Sequence, residues 1–165
     1  MPKIITYIQS HDDIFKGVKQ ESSLYARLKK DSKGEDLFDQ LKFDEEYLIL
    51  FRQYFFDASS KVISAVSAYL LDDFIQAFFA SQNSNRNRDL MLKLAHPDTF
   101  KSQMSTPIAN EMKEFIVSYI MYRWLETKAP QDAVTYLGRA NVHLADMKRF
   151  LEMRIRPISI KGWGL

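Results

Sequence analysis

Apolar residues in the middle of the chain recur at steps of three and four, which is the period of an α-helix. The pattern spans residues 44–80, and one of its rows consists of Tyr47, Phe51, Tyr54, Ala58, Val62, Ala65 and Tyr69. It predicts either one long helix or two helices with a turn near Asp57, whose carboxylate suits an N-cap. We favour the break, because a single helix of this length would extend about 55 Å.

Weaker patterns predict three shorter helices. Ser10 followed by Asp13 resembles a capping box and predicts a helical stretch as far as Lys30, in one piece or two because of Gly17. A short amphipathic helix is expected over residues 35–42. Another is expected over residues 89–95, stopping before Pro97.

Two clearer helices occupy the last third of the chain. Thr106 followed by Pro107 is typical of a helix start, and this helix should run to about Lys128. Pro130 opens the last helix, which Pro157 ends. The apolar row of this helix has a near-heptad spacing that suits packing against another helix: Leu137, Ala140, Leu144, Met147, Leu151 and Ile155.

These elements together predict an all-α fold, a bundle of about five or six helices in one domain over residues 1–165. Residues 1–43 form an N-terminal extension with short helices, and residues 44–157 form the core bundle. The first nine residues and a tail over residues 158–165 could be short extended segments. The Asn-rich stretch 81–88 is polar and indicates a loop.

Composition supports this interpretation and narrows the chemistry. Apolar residues make up 46% of the chain, whereas Gly and Pro number only five each, which favours helices over a turn-rich β fold. The absence of cysteine excludes disulfides and Cys-based metal sites. Charged residues interrupt every long apolar stretch and no signal peptide is recognisable, so we expect a cytoplasmic protein without a membrane span.

No catalytic, cofactor or metal site is expected. The three histidines, His11, His96 and His143, show no metal-ligand spacing, and a metal centre needs three or more converging ligands. Adjacent carboxylates such as Asp72-Asp73 point about 100° apart on a helix and do not converge on a substrate. We therefore expect a protein that is not an enzyme and has no small-molecule substrate.

The tripeptide His96-Pro97-Asp98 is the signature of J-domain co-chaperones, in which it joins two antiparallel helices. Here the basic helix that should precede it is short, and Pro107 displaces the helix that should follow. We interpret the tripeptide as the end of a helix followed by a turn.

Two groups of residues are candidates for interaction. The first is a surplus of phenylalanine in residues 44–80, where Phe55, Phe78 and Phe79 either fill the core or meet another subunit. The second is the basic C-terminal end, with Arg154, Arg156 and Trp163. This end could follow a nucleic-acid backbone, but a solvated helix end is favoured over a nucleic-acid partner because the net charge is only +2.

The order of elements over residues 44–160 resembles small helical head–tail connector proteins, the neck proteins of tailed bacteriophages and prophages. The resemblance rests on the apolar helix after Asp57, the helix from Pro107 to Arg123, the helix containing Tyr136-Leu137, and the tail Ile158-Ser159-Ile160. It implies a helical bundle whose subunits form a ring and contact neighbouring rings through loops or tails, and a virion-associated protein in place of a cytoplasmic one.

Three functions therefore stand as hypotheses. The first is a structural or assembly adaptor that associates with itself or with other assembly proteins. The second is a regulatory or nucleic-acid-associated helical module that uses the basic end. The third, an enzyme or co-chaperone, has only His96 and Asp72-Asp73 as candidates.

Overall fold

The computed structural model describes residues 1–30, 34, 37–71 and 89–154. The strands are β1 (Lys3–Gln9) and β2 (Leu90–His96). The helices are α1 (His11–Arg27), α2 (Phe38–Leu41), α3 (Leu48–Ala65), α4 (Ser105–Leu125) and α5 (Pro130–Leu151). Most described residues are helical, as predicted.

The fold is not purely α-helical, because β1 and β2 pair antiparallel from Lys3↔His96 to Gln9↔Leu90. The predicted helix over residues 89–95 is therefore wrong. Leu90, Leu92, Leu94 and His96 are buried, and Met91 between them is exposed. This two-residue alternation is that of a half-buried strand, whereas a helix would spread these side chains around its circumference.

The predicted break near Asp57 is also wrong, because α3 passes through this residue without interruption. The Asp57 carboxylate does not cap a helix. Instead, it accepts a hydrogen bond of 3.1 Å from Arg123 of α4. The helix ends at Ala65, well before residue 80, and its 18 residues are flanked by the short 3-10 helices Glu45–Tyr47 and Ser67–Tyr69.

The helix at the centre of the fold is α4, which packs against α1, α3, α5 and β1. Seven consecutive residues, 115–121, are buried, so every side of this helix is covered there. Trp124 near its end donates a hydrogen bond of 2.7 Å to the carbonyl of Leu41 and attaches α2.

The helix starts agree closely with the sequence. Ser10 is the N-cap of α1 and its Oγ accepts a hydrogen bond from the Asp13 N–H, as the capping pattern predicts. The last helix begins at Pro130 as expected. Its neighbour α4 begins at Ser105, one residue before the predicted cap.

The first 43 residues share the core with the rest of the chain. Ile14 and Val18 of α1 are fully buried in the same cluster as α4, and Tyr7 of β1 is buried with them. Two long segments lie outside the described residues. Residues 72–88 include the end of the apolar pattern and the predicted loop 81–88, and residues 155–165 include the predicted end of the last helix and the predicted extended tail.

Candidate interaction edge

The β1–β2 pair has one face against the protein interior. Tyr7, Leu92 and Leu94 are buried on this inner face, and β1 contacts α4. The side-chain amide of Gln9 donates a hydrogen bond of 2.9 Å to the carbonyl of Ala109 on α4. These contacts hold β1 against α4.

The outer face of the pair is apolar at both ends and carries the polar pair Thr6 and Lys93 in the middle. Ile4 is 60% exposed, Ile8 is 53% exposed and Met91, which lies opposite Ile8, is 42% exposed. Single exposed apolar residues are ordinary on a protein surface, but three of them on one face of a small sheet form a patch.

The two edges of the sheet differ. On the β2 side, the N–H of Leu71 donates a hydrogen bond of 3.2 Å to the carbonyl of Lys93. The backbone groups of Lys93 therefore point away from β1. Successive residues of a strand direct their backbone groups to opposite edges, so the N–H and C=O groups of the neighbouring Leu92 and Leu94 point towards β1. Within the described residues, β1 has β2 as its sole strand partner.

The same alternation fixes the direction of the backbone groups in β1. Tyr7 and Ile5 are paired with Leu92 and Leu94, so their N–H and C=O groups point into the ladder. Those of Ile4, Thr6 and Ile8 consequently point to the opposite edge. We call this the β1 edge: the outward backbone groups of Ile4, Thr6 and Ile8 together with their exposed side chains.

A buried aromatic cluster supports the end of the sheet. The Tyr7 hydroxyl lies 3.2 Å from Nε2 of His96, and the Phe100 ring stacks on His96 with 4.0 Å between ring centroids. Burial, helped by the positive charge of Arg154, lowers the pKa of His96 to about 4. Burial also raises the pKa of Tyr7 to about 12. Both side chains are therefore neutral at physiological pH.

The tripeptide His96-Pro97-Asp98 begins with this buried histidine. It follows a strand, so the predicted helix end is wrong, although the chain does turn there, with the Phe100 N–H bonded to the Pro97 carbonyl. The His96 side chain is completely buried, and its Nδ1 has no hydrogen-bond partner among the described residues. An imidazole in this position is not presented to a partner.

None of the predicted interaction residues belongs to the β1 edge. Phe55 is buried in the core, where its ring contacts His11 and Phe51. The guanidinium of Arg154 is half-buried and donates hydrogen bonds to the carbonyls of Leu151 and Met153. The remaining predicted residues lie outside the described residues: Phe78, Phe79, Arg156 and Trp163.

The described residues contain no group of three or more His, Asp or Glu side chains that could hold a metal ion. His143 pairs with Glu111 at 2.7 Å between helices α5 and α4. His11 is buried against Phe51, and its Nδ1 lies 3.1 Å from the Asp12 carboxylate. The pair Asp72-Asp73 lies outside the described residues. None of the described helices is long and apolar enough to cross a membrane.

Sequence reasoning did not find the β1 edge, although its signal is present. The run Ile4-Ile5-Thr6-Tyr7-Ile8 is rich in β-branched residues, and Leu90, Leu92 and Leu94 alternate with other residues. The extended segment expected over the first nine residues is confirmed as β1, whereas Leu90–His96 was expected to be a helix, so the pairing of the two segments was not foreseen. The decisive fact is their pairing, which joins residues about 90 positions apart.

No protein family, no curated protein and no solved structure matches this chain.

Proposed function

We propose that this protein is a non-enzymatic assembly adaptor that associates with a second copy of itself by pairing the two β1 edges. The observation that carries the proposal is the edge of β1 that has no strand partner among the described residues, in a strand that packs against α4. An exposed strand edge is a ready template for another strand. Natural proteins usually protect such edges with charged residues, Pro or bulges, and Ile4, Thr6 and Ile8 provide none of these.

The β1 edge is complementary to itself. Ile4, Thr6 and Ile8 are symmetric about Thr6, so antiparallel pairing of two copies places Ile4 of one copy opposite Ile8 of the other. The two Thr6 residues then lie opposite each other on a two-fold axis. Such β-branched pairs stabilise neighbouring strands by roughly 0.2–1 kcal/mol each. The product is a four-stranded sheet that spans two copies, and the self-complementary contact closes after two chains.

The assembly that we propose for this adaptor is a head–tail connector of a tailed phage or prophage. Support comes from the sequence resemblance, in which α4 and α5 are two of the helices concerned, whereas the helix expected to begin after Asp57 begins earlier, at Leu48. A ring of subunits needs a head-to-tail contact in addition to the two-fold β1 contact. Other assembly proteins would then bind to the ring.

Amide hydrogen exchange at several protein concentrations tests the edge contact directly. In a monomer the N–H groups of Thr6 and Ile8 face solvent, so they should exchange fast at low concentration and slowly at high concentration. The Tyr7 N–H bonds to β2 in either state and is the internal control. Fast exchange at Thr6 and Ile8 at all concentrations, with Tyr7 protected, would rule the edge contact out.

A further inference from the structure

A cleft of about 290 Å³ lies where α3, α4 and α5 meet, away from the β1–β2 pair. Helices α3 and α5 both pack on α4 but have little contact with each other, so a gap is left between them. The lining includes Lys61 and Ser64 from α3, Phe115 and Tyr119 from α4, and Asn141 and Lys148 from α5.

The cleft is positively charged. Lys61 belongs to one wall and Lys148 to the other, and no carboxylate is among the described residues that line it. Neither lysine forms an ion pair within the described part of the chain, where many of the other charged side chains do. Two unpaired ammonium groups on a shared concave surface create a local positive potential that attracts an anion.

The rest of the lining divides into apolar and hydrogen-bonding groups. Phe115 and Tyr119 form the floor of the cleft but are only 1% and 6% exposed, so its accessible apolar surface belongs mainly to the half-buried Leu137 and Leu144. The Lys61 ammonium lies 5.5 Å from the centre of the Tyr119 ring. The hydroxyl of Ser64 and the amide of Asn141 make no hydrogen bond to other described residues. An apolar surface with a few convergent polar groups is the usual composition of a small-molecule site.

We propose that this cleft binds a small organic anion with one apolar group, such as an aromatic carboxylate or a phosphate monoester. The anionic group lies between Lys61 and Lys148 and accepts hydrogen bonds from Ser64 and Asn141. The apolar group packs on Leu137 and Leu144, above the buried rings of Phe115 and Tyr119. A volume of about 290 Å³ limits the ligand to a small molecule, near the lower end of the sizes of protein ligand sites.

Four probes separate the parts of this proposal: benzoate, phenyl phosphate, inorganic phosphate and benzyl alcohol. Each is titrated into the full-length ¹⁵N-labelled protein. We expect benzoate or phenyl phosphate to bind with a Kd of about 1 mM or tighter and to shift the amide signals of Ser64, Tyr119 and Asn141. Whichever of these two binds more tightly identifies the anionic group. Inorganic phosphate and benzyl alcohol each lack half of the recognised chemistry and should bind more weakly.

Lys61→Met and Lys148→Met keep the length of the side chain and remove the charge. Each should weaken binding by roughly two- to fivefold, the effect of losing one solvent-exposed charge contact. Lys16→Met is the matched control, since Lys16 is exposed on α1 and does not line the cleft. It should leave the affinity unchanged.

Three results would overturn the proposal. The first is the absence of shifts at the cleft with either organic anion. The second is equal weakening by Lys16→Met, which would indicate non-specific charge attraction. The third is binding of an oligo-glutamate peptide at the cleft while both organic anions are silent, which would make the cleft a docking site for an acidic protein segment.

Discussion

The Tyr7 hydroxyl of β1 lies 3.2 Å from Nε2 of His96 in β2, and the His96 ring has no exposed surface. This contact joins the two strands on their inner face. Burial removes the imidazole from solvent, and the positive charge of Arg154 acts on it as well. Protonation of His96 is therefore unfavourable in the folded chain.

The stability of the protein should therefore fall on mild acidification. Unfolded, His96 binds a proton near pH 6.5, whereas in the folded chain its pKa is about 4. Between these values the unfolded state binds more protons, so the free energy of unfolding decreases as the pH falls from about 6.5 to about 4. The loss from this residue is about 3 kcal/mol in total and does not grow below pH 4. Urea denaturation at several pH values measures it.

His96→Gln isolates this contribution from that of the carboxylates, which also titrate near pH 4. The variant loses the ring contact with Phe100 and should be less stable at pH 7, but the comparison concerns the pH dependence alone. We expect a shallower decrease between pH 6.5 and pH 4 than in the natural sequence. Identical slopes would show that His96 is not held neutral.

Ser22 should contribute to stability through its hydroxyl, which accepts a hydrogen bond of 2.9 Å from the Phe43 N–H and donates one to the Lys19 carbonyl. Ser22→Ala leaves the Phe43 N–H buried without a partner, which costs about 1–3 kcal/mol. Ser23→Ala, in the same helix, is the control and should change stability by less than about 0.5 kcal/mol. Equal effects in chemical denaturation would contradict this role.

Two helical glycines should respond differently to substitution. Gly138→Ala on the exposed side of α5 meets no atom within 4 Å and should stabilise the protein by up to about 1 kcal/mol through helix propensity. At Gly17 an added Cβ would lie 3.3 Å from Cγ2 of Val117, so Gly17→Ala should gain less. Gly17→Leu should be destabilising by about 1–3 kcal/mol. Thermal melts of the three variants test the order, and an equal gain at both glycines would contradict the close approach of α1 and α4.

The parts of the fold that the sequence predicts well are those specified by nearby residues. Ser10 caps α1 and Pro130 opens α5 through contacts within one helical turn. The strand at Leu90–His96 was missed because its identity depends on β1, which is distant in the chain. The helix that is covered on all sides is α4, which its sequence pattern did not distinguish from the other helices.

The candidate surfaces were less predictable, for the same reason. Phe55 is a large apolar residue of the kind that often lies in interfaces, but it packs against His11 and Phe51 and is part of the core. The exposure of Ile4 and Ile8 depends on the pairing of β1 with β2, and the cleft depends on how α3 and α5 diverge over α4. Neither arrangement follows from local sequence.

A charge on the β1 edge should prevent association. Ile8→Lys places an ammonium group on the face that pairs with Ile4 of the second copy, and lysine on an edge strand is a common protection against strand pairing. Ile49→Lys is the matched control, because Ile49 is 73% exposed on α3 and far from β1 in the chain. Sedimentation velocity should show dissociation for Ile8→Lys alone. Dissociation of both variants to the same extent would assign the contact to another surface.

The most direct test of the account is the mass in solution, by light scattering after size exclusion, of the natural sequence and of Thr6→Pro across a concentration series. Proline removes the outward N–H of Thr6 while the ladder with β2 stays intact, a position where edge strands tolerate it. We predict that the natural sequence reaches at least a dimer with rising concentration, and that Thr6→Pro remains a folded monomer. A natural sequence that stays monomeric at all concentrations, or a Thr6→Pro variant that associates equally well, would contradict the proposed edge contact.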